Sequence, residues 1–330
     1  MLAIVRNSHH QPPVEIKELP DPTPAQDEAL IEVRASSLNR GELDLLALRD
    51  DGWRPGQDVA GVLVQAARDG SGPPEGTRVV GLIEGGAWAQ VVAAPTARLA
   101  PLPDEVDFAT AAALPLAGLT ALRTVRLAGP VLGHEVLVTG AGGGVGHLTI
   151  QLAVHAGAFV TAQAANERRD ELTAYGATVV VERLPDAEQQ FDVILDGLGG
   201  AALKEAVALV KPSGTIILYG GVIDAPAELT IYDFIGHENA TIRGFLSYAS
   251  GDDASIGSDL RVLARLVAAG TIRPRIGMEL PLERAPELIA AFAAGNVRGK
   301  AVLSVRDAGL AEQPVKDPET AGRSQYSATP

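Results

Sequence analysis

The chain has 330 residues, 46% hydrophobic and 21% charged, with a formal net charge of −14 and no cysteine. Such a length supports about two domains with ample core, the acidic balance argues against nucleic acid or an anionic membrane surface as partner, and the missing thiols exclude disulfides and thiolate zinc sites. No apolar run reaches the ~18 residues of a membrane span and Arg6 interrupts the short apolar start, so a soluble cytoplasmic protein is expected.

In chain order, Leu2–Val5, Glu28–Val33, Val59–Val64, Arg78–Gly81 and Ala87–Val92 read as short strands between proline and glycine turns. Asn39, with Glu42 three residues on, fits a helix N-cap with a capping box. Otherwise helices are scarce, and this part reads as a β-rich module. The pattern changes at Phe108–Pro115. Strands at Val136–Thr139, Phe159–Ala162, Thr178–Val181, Asp192–Asp196, Gly214–Tyr219 and Ile242–Phe245 then alternate with helices after Gly146, at Arg168–Tyr175 and at Ala201–Val210. That alternation is the pattern of a doubly wound parallel α/β sheet. The helices Leu260–Ala269 and Pro286–Ala294 and the strand Lys300–Val305 are too few to stand alone, so they are expected to return to the β-rich module. Beyond Asp307, prolines and small polar residues without periodicity predict a disordered tail, 307–330.

The most informative segment is the strand Val136–Thr139 running into Gly140-Ala141-Gly142-Gly143-Gly144-Val145-Gly146 and then a helix. Strand, glycine turn and helix in that order hold a dinucleotide pyrophosphate, because backbone amides at the helix start face the phosphates and the helix dipole favours their charge. The aligned triple is Ala141, Gly143 and Gly146. Gly143 would let the backbone approach the pyrophosphate, and Gly146 would let the helix lie close on the strand. Gly142, Gly144 and Val145 complete the expected loop, with Gly220 and Phe245 as further cofactor contacts. About 20 residues on, NAD-specific sites place an acid that would repel an extra phosphate. Here the position falls near Ala165, followed by Asn166, Glu167, Arg168 and Arg169. Asn166, Arg168 and Arg169 are candidates to hold the extra phosphate of NADP(H). The arginines can equally lie on a solvated helix face, and Glu167 lies close enough to reach the ribose.

Seven motifs occur in a fixed order: Ser37–Glu42, Gly56–Val62, Gly85–Ala89, Leu114–Leu122, the Gly140–Gly146 turn, Phe191–Asp196 and Gly299–Leu303. Together they resemble the medium-chain dehydrogenase/reductase superfamily, in its zinc-independent quinone oxidoreductase branch. The resemblance implies a Rossmann cofactor domain (118–256) inserted in a β-rich GroES-like catalytic domain (1–117 and 257–306). It implies a nicotinamide cofactor, which the missing acid near Ala165 points to as NADP(H), a small-molecule quinone or enone as substrate, and a homodimer paired through the edge strand Thr241–Phe245. Zinc-dependent relatives use a cysteine and a Gly-His-Glu motif where this chain has Asn39 and Gly56-Gln57-Asp58, so no metal is expected. Gly133-His134-Glu135 imitates that triplet but precedes the cofactor strand, where it reads as a polar turn, as does His9-His10.

Asn39 is expected to face the nicotinamide pocket, its amide donating to the oxygen where charge develops. Arg40 is expected to reach the substrate mouth or to pair locally. Thr120 is expected to lie against the nicotinamide ribose, or to bond back to the preceding helical turn. Lys300 is expected to hold a cofactor phosphate or to sit at a solvated strand end. Trp53, Phe245 and Tyr248 are pocket walls or core. The stretch Leu43–Leu48 lacks the tyrosine that many relatives carry as proton donor, which counts against enoyl-thioester reduction. A natural-product tailoring step on the same fold, or a non-enzymatic cofactor-binding protein, stand as alternatives.

Overall fold

A computed structural model describes residues 1–221, 225–247 and 253–305. The first part runs β1 (Leu2–Arg6), β2 (Val14–Glu18), β3 (Glu28–Leu38), α1 (Arg40–Leu48), β4 (Asp58–Gln65), β5 (Arg78–Leu82), β6 (Val91–Pro95), β7 (Leu99–Pro101), α2 (Phe108–Ala112) and α3 (Pro115–Leu127). Next come β8 (Glu135–Val138), α4 (Gly146–His155), β9 (Phe159–Gln163), α5 (Arg169–Ala174), β10 (Val179–Val181), β11 (Phe191–Asp196), α6 (Gly200–Val207), β12 (Val210–Leu218) and β13 (Thr241–Gly244). The chain closes with α7 (Asp253–Ala268), β14 (Ile276–Pro281), α8 (Ala285–Ala293) and β15 (Lys300–Ser304).

Strands β8 to β13 form a six-stranded parallel sheet in the order β10-β9-β8-β11-β12-β13. Strand order therefore reverses between β8 and β11, and the crevice at their carboxyl ends is where such folds take a ligand. Its central strands carry buried apolar runs, Val136–Val138 in β8 and Val193–Leu195 in β11, as expected where both faces of a parallel sheet are covered. The second sheet is mixed and runs β14-β15-β3-β4-β5-β7, with β6 also on β3. The expected return of the chain to the first module is thus seen as β15 lying between β14 and β3. This is a Rossmann unit inserted in a GroES-like β-rich domain.

Strand β3 shows how packing positions the site. Its burial alternates from Glu28 to Arg34, as one wet face requires, and then becomes continuous from Ala35 to Leu38. The continuously buried end is covered on both sides, and it is there that Ser37 and Asn39 meet the rest of the molecule.

Some expectations shift. Ala87–Val92 is not one strand: Ala89 makes a single bridge to Ala3, and the strand proper begins at Val91. The reason is Trp88, which turns fully inward, takes the Ile4 N–H on its carbonyl (2.8 Å) and donates its indole N–H to Ser37 O (3.3 Å). Gly56 is obligatory beside it, with φ of +105° and no room for a Cβ against the Trp88 backbone. The short strands β2, β7 and β14 and the helix α2 have no counterpart among the predicted elements, although Val14–Lys17 and Ile276–Leu280 alternate with period two. Helix α7 begins seven residues earlier than expected and runs unbroken through the boundary placed after residue 256. It packs on α3, where Arg123 Nε donates to Asp259 Oδ2 (2.8 Å), and on β7, where a Cβ at Gly257 would lie 2.6 Å from Leu99 O. The tail 307–330 and Tyr248 lie outside the described residues.

Candidate active site

Three strand ends make the site. The register of β3 on β4 sets Ser37 opposite Asp58, and that of β15 on β3 sets Ala301 opposite Leu38. Asn39, Asp58 and Lys300 are thereby brought together although they are far apart in sequence. The Lys300 ammonium, 2% exposed, donates to Leu38 O (3.0 Å), Asn39 Oδ1 (2.5 Å) and Asp58 Oδ2 (3.2 Å). Asp58 is fully buried; it also accepts from Ser37 Oγ (2.5 Å), Asn39 Nδ2 (2.9 Å) and the Leu116 N–H (2.9 Å). Glu42 lies behind Asn39, accepting the Asn39 N–H (2.8 Å) and the Gln57 N–H (2.9 Å). Burial, and then the charge of Asp58, push the Glu42 carboxyl up to about 8.

The glycine turn closes the other side. A Cβ at Gly144 would lie 3.2 Å from Lys300 Cδ, so the lysine stem runs along the turn while its head holds the ends of β3 and β4. Within the turn, Gly140 N–H bonds Gln163 Oε1 (3.0 Å), Ala141 N–H bonds Gln163 O (3.0 Å) and Gly143 N–H bonds Gly140 O (3.0 Å). The N–H groups of Gly142, Gly144 and Val145 have no partner among the described residues. Unpaired amides at a helix start are the donors a pyrophosphate needs. Gly146 has a packing role, since a Cβ there would lie 2.5 Å from Gly140 O and 2.7 Å from Ala141 Cα. At the neighbouring strand ends, Gly220 faces the Gly197 carbonyl with no room for a Cβ.

Several expected roles change. The Asn39 amide is turned inward, with its oxygen on Lys300 and its NH2 on Asp58, so it anchors the loop instead of offering a donor to substrate. Lys300 is neither solvated nor free for a phosphate, because its three protons are already used. The Thr120 hydroxyl donates back to Leu116 O (2.7 Å), which leaves only its lone pairs for a ligand. Phe245 is 8% exposed and belongs to the core. Trp53 packs partly on the core of the β-rich module. Asn166 turns to Glu182 (2.5 Å) and Arg169 turns to Asn166 (3.1 Å), both on the exposed side. Arg168 instead lies over the glycine turn, with its Cζ 3.3 Å from where a Gly142 Cβ would be. Arg40 is exposed at the start of α1 and forms no ion pair among the described residues.

Sequence reasoning missed His147, directly after the turn. It is 1% exposed; its Nε2 accepts the Arg275 N–H (2.9 Å), so Nδ1 carries the proton and donates to Gly143 O (2.8 Å). One turn on, Gln151 bonds both the Arg273 N–H (2.8 Å) and the Arg273 carbonyl (3.1 Å). These two side chains tie the cofactor helix to the segment that leads into β14. Burial pulls the His147 imidazole from 6.5 down to about 4. Unfolded chains take up this proton before the folded protein does. The neutral clamp thus contributes fully above pH ~6.5 and is lost as pH falls towards ~4, a span worth about 3 kcal/mol. The melting temperature is expected to fall across that window, and His147→Asn to flatten the fall. An unchanged pH profile in the variant would show that other groups govern it.

Residues 25–104 match the alcohol dehydrogenase GroES-like domain family, and residues 144–265 match the zinc-binding dehydrogenase family, together more than half of the chain. The chain belongs to the medium-chain dehydrogenase/reductase superfamily, in its quinone oxidoreductase branch. Among similar solved structures is the quinone oxidoreductase from Coxiella burnetii, with a TM-score of 0.81 and 25% identity, covering 93% of this chain and 99% of that one. The 2-methylene-furan-3-one reductase of Solanum lycopersicum is 29% identical over 301 residues, 84% of this chain and 72% of that protein. The spectinabilin polyketide synthase system protein NorB of Streptomyces orinoci is 31% identical over 295 residues, 85% of this chain, but the match spans only 13% of NorB.

Medium-chain dehydrogenase/reductases bind a nicotinamide cofactor, NAD or NADP, and the unpaired amides of Gly142, Gly144 and Val145 fit its pyrophosphate. A zinc ion, which the name of the second family implies, does not fit. The oxygens of Asn39 and Asp58 already surround an ammonium group, and no cysteine exists to supply a thiolate. Among the described residues no group of three or more histidine, aspartate or glutamate side chains converges, and no helix is long and apolar enough to cross a membrane.

Proposed function

We propose that this oxidoreductase is an NADPH-dependent reductase that passes hydride to a quinone or an α,β-unsaturated carbonyl, without zinc, as a cytoplasmic homodimer. The observation that carries the reading is the Lys300–Asn39–Asp58 network, which puts a fixed, fully bonded ammonium among the site's oxygens. Oxidising an alcohol there would lack a Lewis acid. Reducing a polarised double bond needs only a placed ring, excluded water and donors near the oxygen where charge develops. When bound, the nicotinamide supplies the hydride. The free amides of Gly142, Gly144 and Val145 hold the pyrophosphate, Lys300 and Asp58 fix the catalytic strand ends, and Arg40 has protons to offer a substrate oxygen at the mouth. The names of the tomato reductase and the Coxiella quinone oxidoreductase support the substrate class. NADPH oxidation across a panel of quinones, enones and enoyl thioesters tests it; no turnover of any quinone or enone would reject it.

Turnover is expected to survive prolonged chelation, with no stoichiometric zinc in the purified protein. Loss of activity that zinc alone restores would overturn metal independence.

The dimer reading rests on β13, which ends the parallel sheet with all four residues exposed, and on exposed Ile231, Tyr232 and Ile235 in the turn before it. A bare edge beside apolar side chains is a pairing surface. Light scattering at low concentration is expected to give twice the 34.1 kDa chain mass, and a monomer mass would reject the reading.

The likeness to NorB favours a second reading, a tailoring step in natural-product assembly. Reduction of a carrier-bound enoyl thioester, with small quinones and enones left untouched, would select it.

A further inference from the structure

We propose that Arg275, in the segment leading back to the catalytic sheet, forms with Arg168 the site for the 2′-phosphate of NADP(H), and that Glu171 stands in for that phosphate when none is bound. The inference rests on the NADP(H) reading above.

Arg168 reaches its place from the end of β9, with its guanidinium lying over Gly142 of the cofactor turn. Its Nη1 is 3.4 Å from Glu171 Oε2, and Arg275 Nη1 pairs with that same oxygen. The side chains of Arg168, Glu171 and Arg275 are 15%, 19% and 31% exposed, so the cluster is half-sheltered but open to a ligand. The other Glu171 oxygen, Oε1, is buried and accepts no hydrogen bond among the described residues. Two guanidiniums thus share one carboxylate oxygen, leaving a net charge of +1 beside the glycine turn. One carboxylate is a poor match for two planar forks, whereas a phosphate monoester brings three acceptor oxygens and nearly two charges.

The Arg275 backbone is held on both sides. Its N–H is on His147 of the cofactor helix (2.9 Å), and its carbonyl accepts the Lys300 N–H (2.8 Å). A guanidinium on so fixed a backbone is pre-organised, which reduces the ordering cost of binding. Arg169 donates to Asn166 and Asn166 to Glu182, and neither takes part.

The test uses the full chain and four ligands: NADPH, NADH, 2′,5′-ADP and 5′-AMP, followed by fluorescence titration for the two nicotinamides and by thermal shift for the two adenylates. Arg275→Ala is expected to weaken NADPH about tenfold or more and to abolish the extra stabilisation by 2′,5′-ADP over 5′-AMP. NADH affinity should stay the same, which also reports that the variant is folded. Glu171→Gln, independently, is expected to tighten NADPH several-fold and leave NADH unchanged. If wild-type protein prefers NADPH but neither variant alters the NADPH-to-NADH ratio, the phosphate sits elsewhere and this assignment falls alone. Equal wild-type affinity for NADPH and NADH would overturn the NADP(H) reading and this site with it. Glu171→Gln that weakens NADH would show Glu171 to be a ribose ligand, and would overturn its stand-in role.

Discussion

Asp58→Ala is expected to lower stability by about 3–5 kcal/mol, because it strands a buried ammonium. For a chain of this size that corresponds to a fall in melting temperature of roughly 5–15 °C. Asp58 is fully buried and accepts from Ser37, Asn39, Lys300 and the Leu116 N–H, so alanine takes an acceptor from four donors at once. Two controls isolate the cause. Asp58→Asn preserves shape but removes the charge, and should recover only part of the loss. The double variant Asp58→Ala, Lys300→Met removes both charges and should be more stable than the sum of the single effects predicts, since neighbours that share a network are not additive. Denaturant unfolding of wild type, Asp58→Ala, Asp58→Asn, Lys300→Met and the double variant decides it. A change below about 1 kcal/mol for Asp58→Ala would place the pair with surface ion pairs in energy, contrary to its burial.

Two glycines of the cofactor turn are expected to fail in different ways. At Gly143 a Cβ meets only Gly140 O, at 3.2 Å, and the residue is exposed. Gly143→Val should fold, yet its branched side chain occupies the space above the free amides. Affinity for the nicotinamide cofactor should drop more than tenfold, about 1.4 kcal/mol or greater. At Gly146 a Cβ would press into the backbone of Gly140 and Ala141, at 2.5 and 2.7 Å. Gly146→Val should therefore cost about 1–3 kcal/mol of stability by overpacking, in addition to any loss of affinity. Calorimetry of the apo proteins separates the two. Equal destabilisation by both would overturn the packing assignment of Gly146, and unchanged cofactor affinity in folded Gly143→Val would show that this turn is not the pyrophosphate cradle.

What could be read from the chain depended on how local each signal was. The glycine turn is one continuous segment, and the alternation of strands and helices around it fixes the parallel order by connection rules alone. Asn39 was visible as both a cap and a site residue, since Glu42 lies only three positions away. Lys300 stood out by position, but its role did not, because its partners Asn39 and Asp58 are 261 and 242 residues distant. Only the register of β3, β4 and β15 brings them together. Two signals were present all the same: an aspartate opening the apolar run Asp58–Val64 and a lysine opening Lys300–Leu303. A charge at the head of a buried strand requires a partner. His147, Glu171 and Arg275 had no comparable signal, since each acts across an interface that sequence spacing does not encode.

The place of β15 also constrains how the protein can be made. The strand lies between β14 and β3, inside the sheet and not at its rim. On a ribosome, β3 to β7 emerge early, but the backbone groups of Ala35–Leu38 that pair with Ala301–Ser304 wait until the whole nucleotide-binding unit has been synthesised. Until then the nascent chain carries an open strand edge next to unpaired Asp58, the kind of surface that chaperones cover and that aggregates when they do not. Closure joins residues at opposite ends of the sequence and so comes late, as high contact order requires. The Lys300–Asn39–Asp58 network is therefore assembled last, by the same strand that completes the sheet.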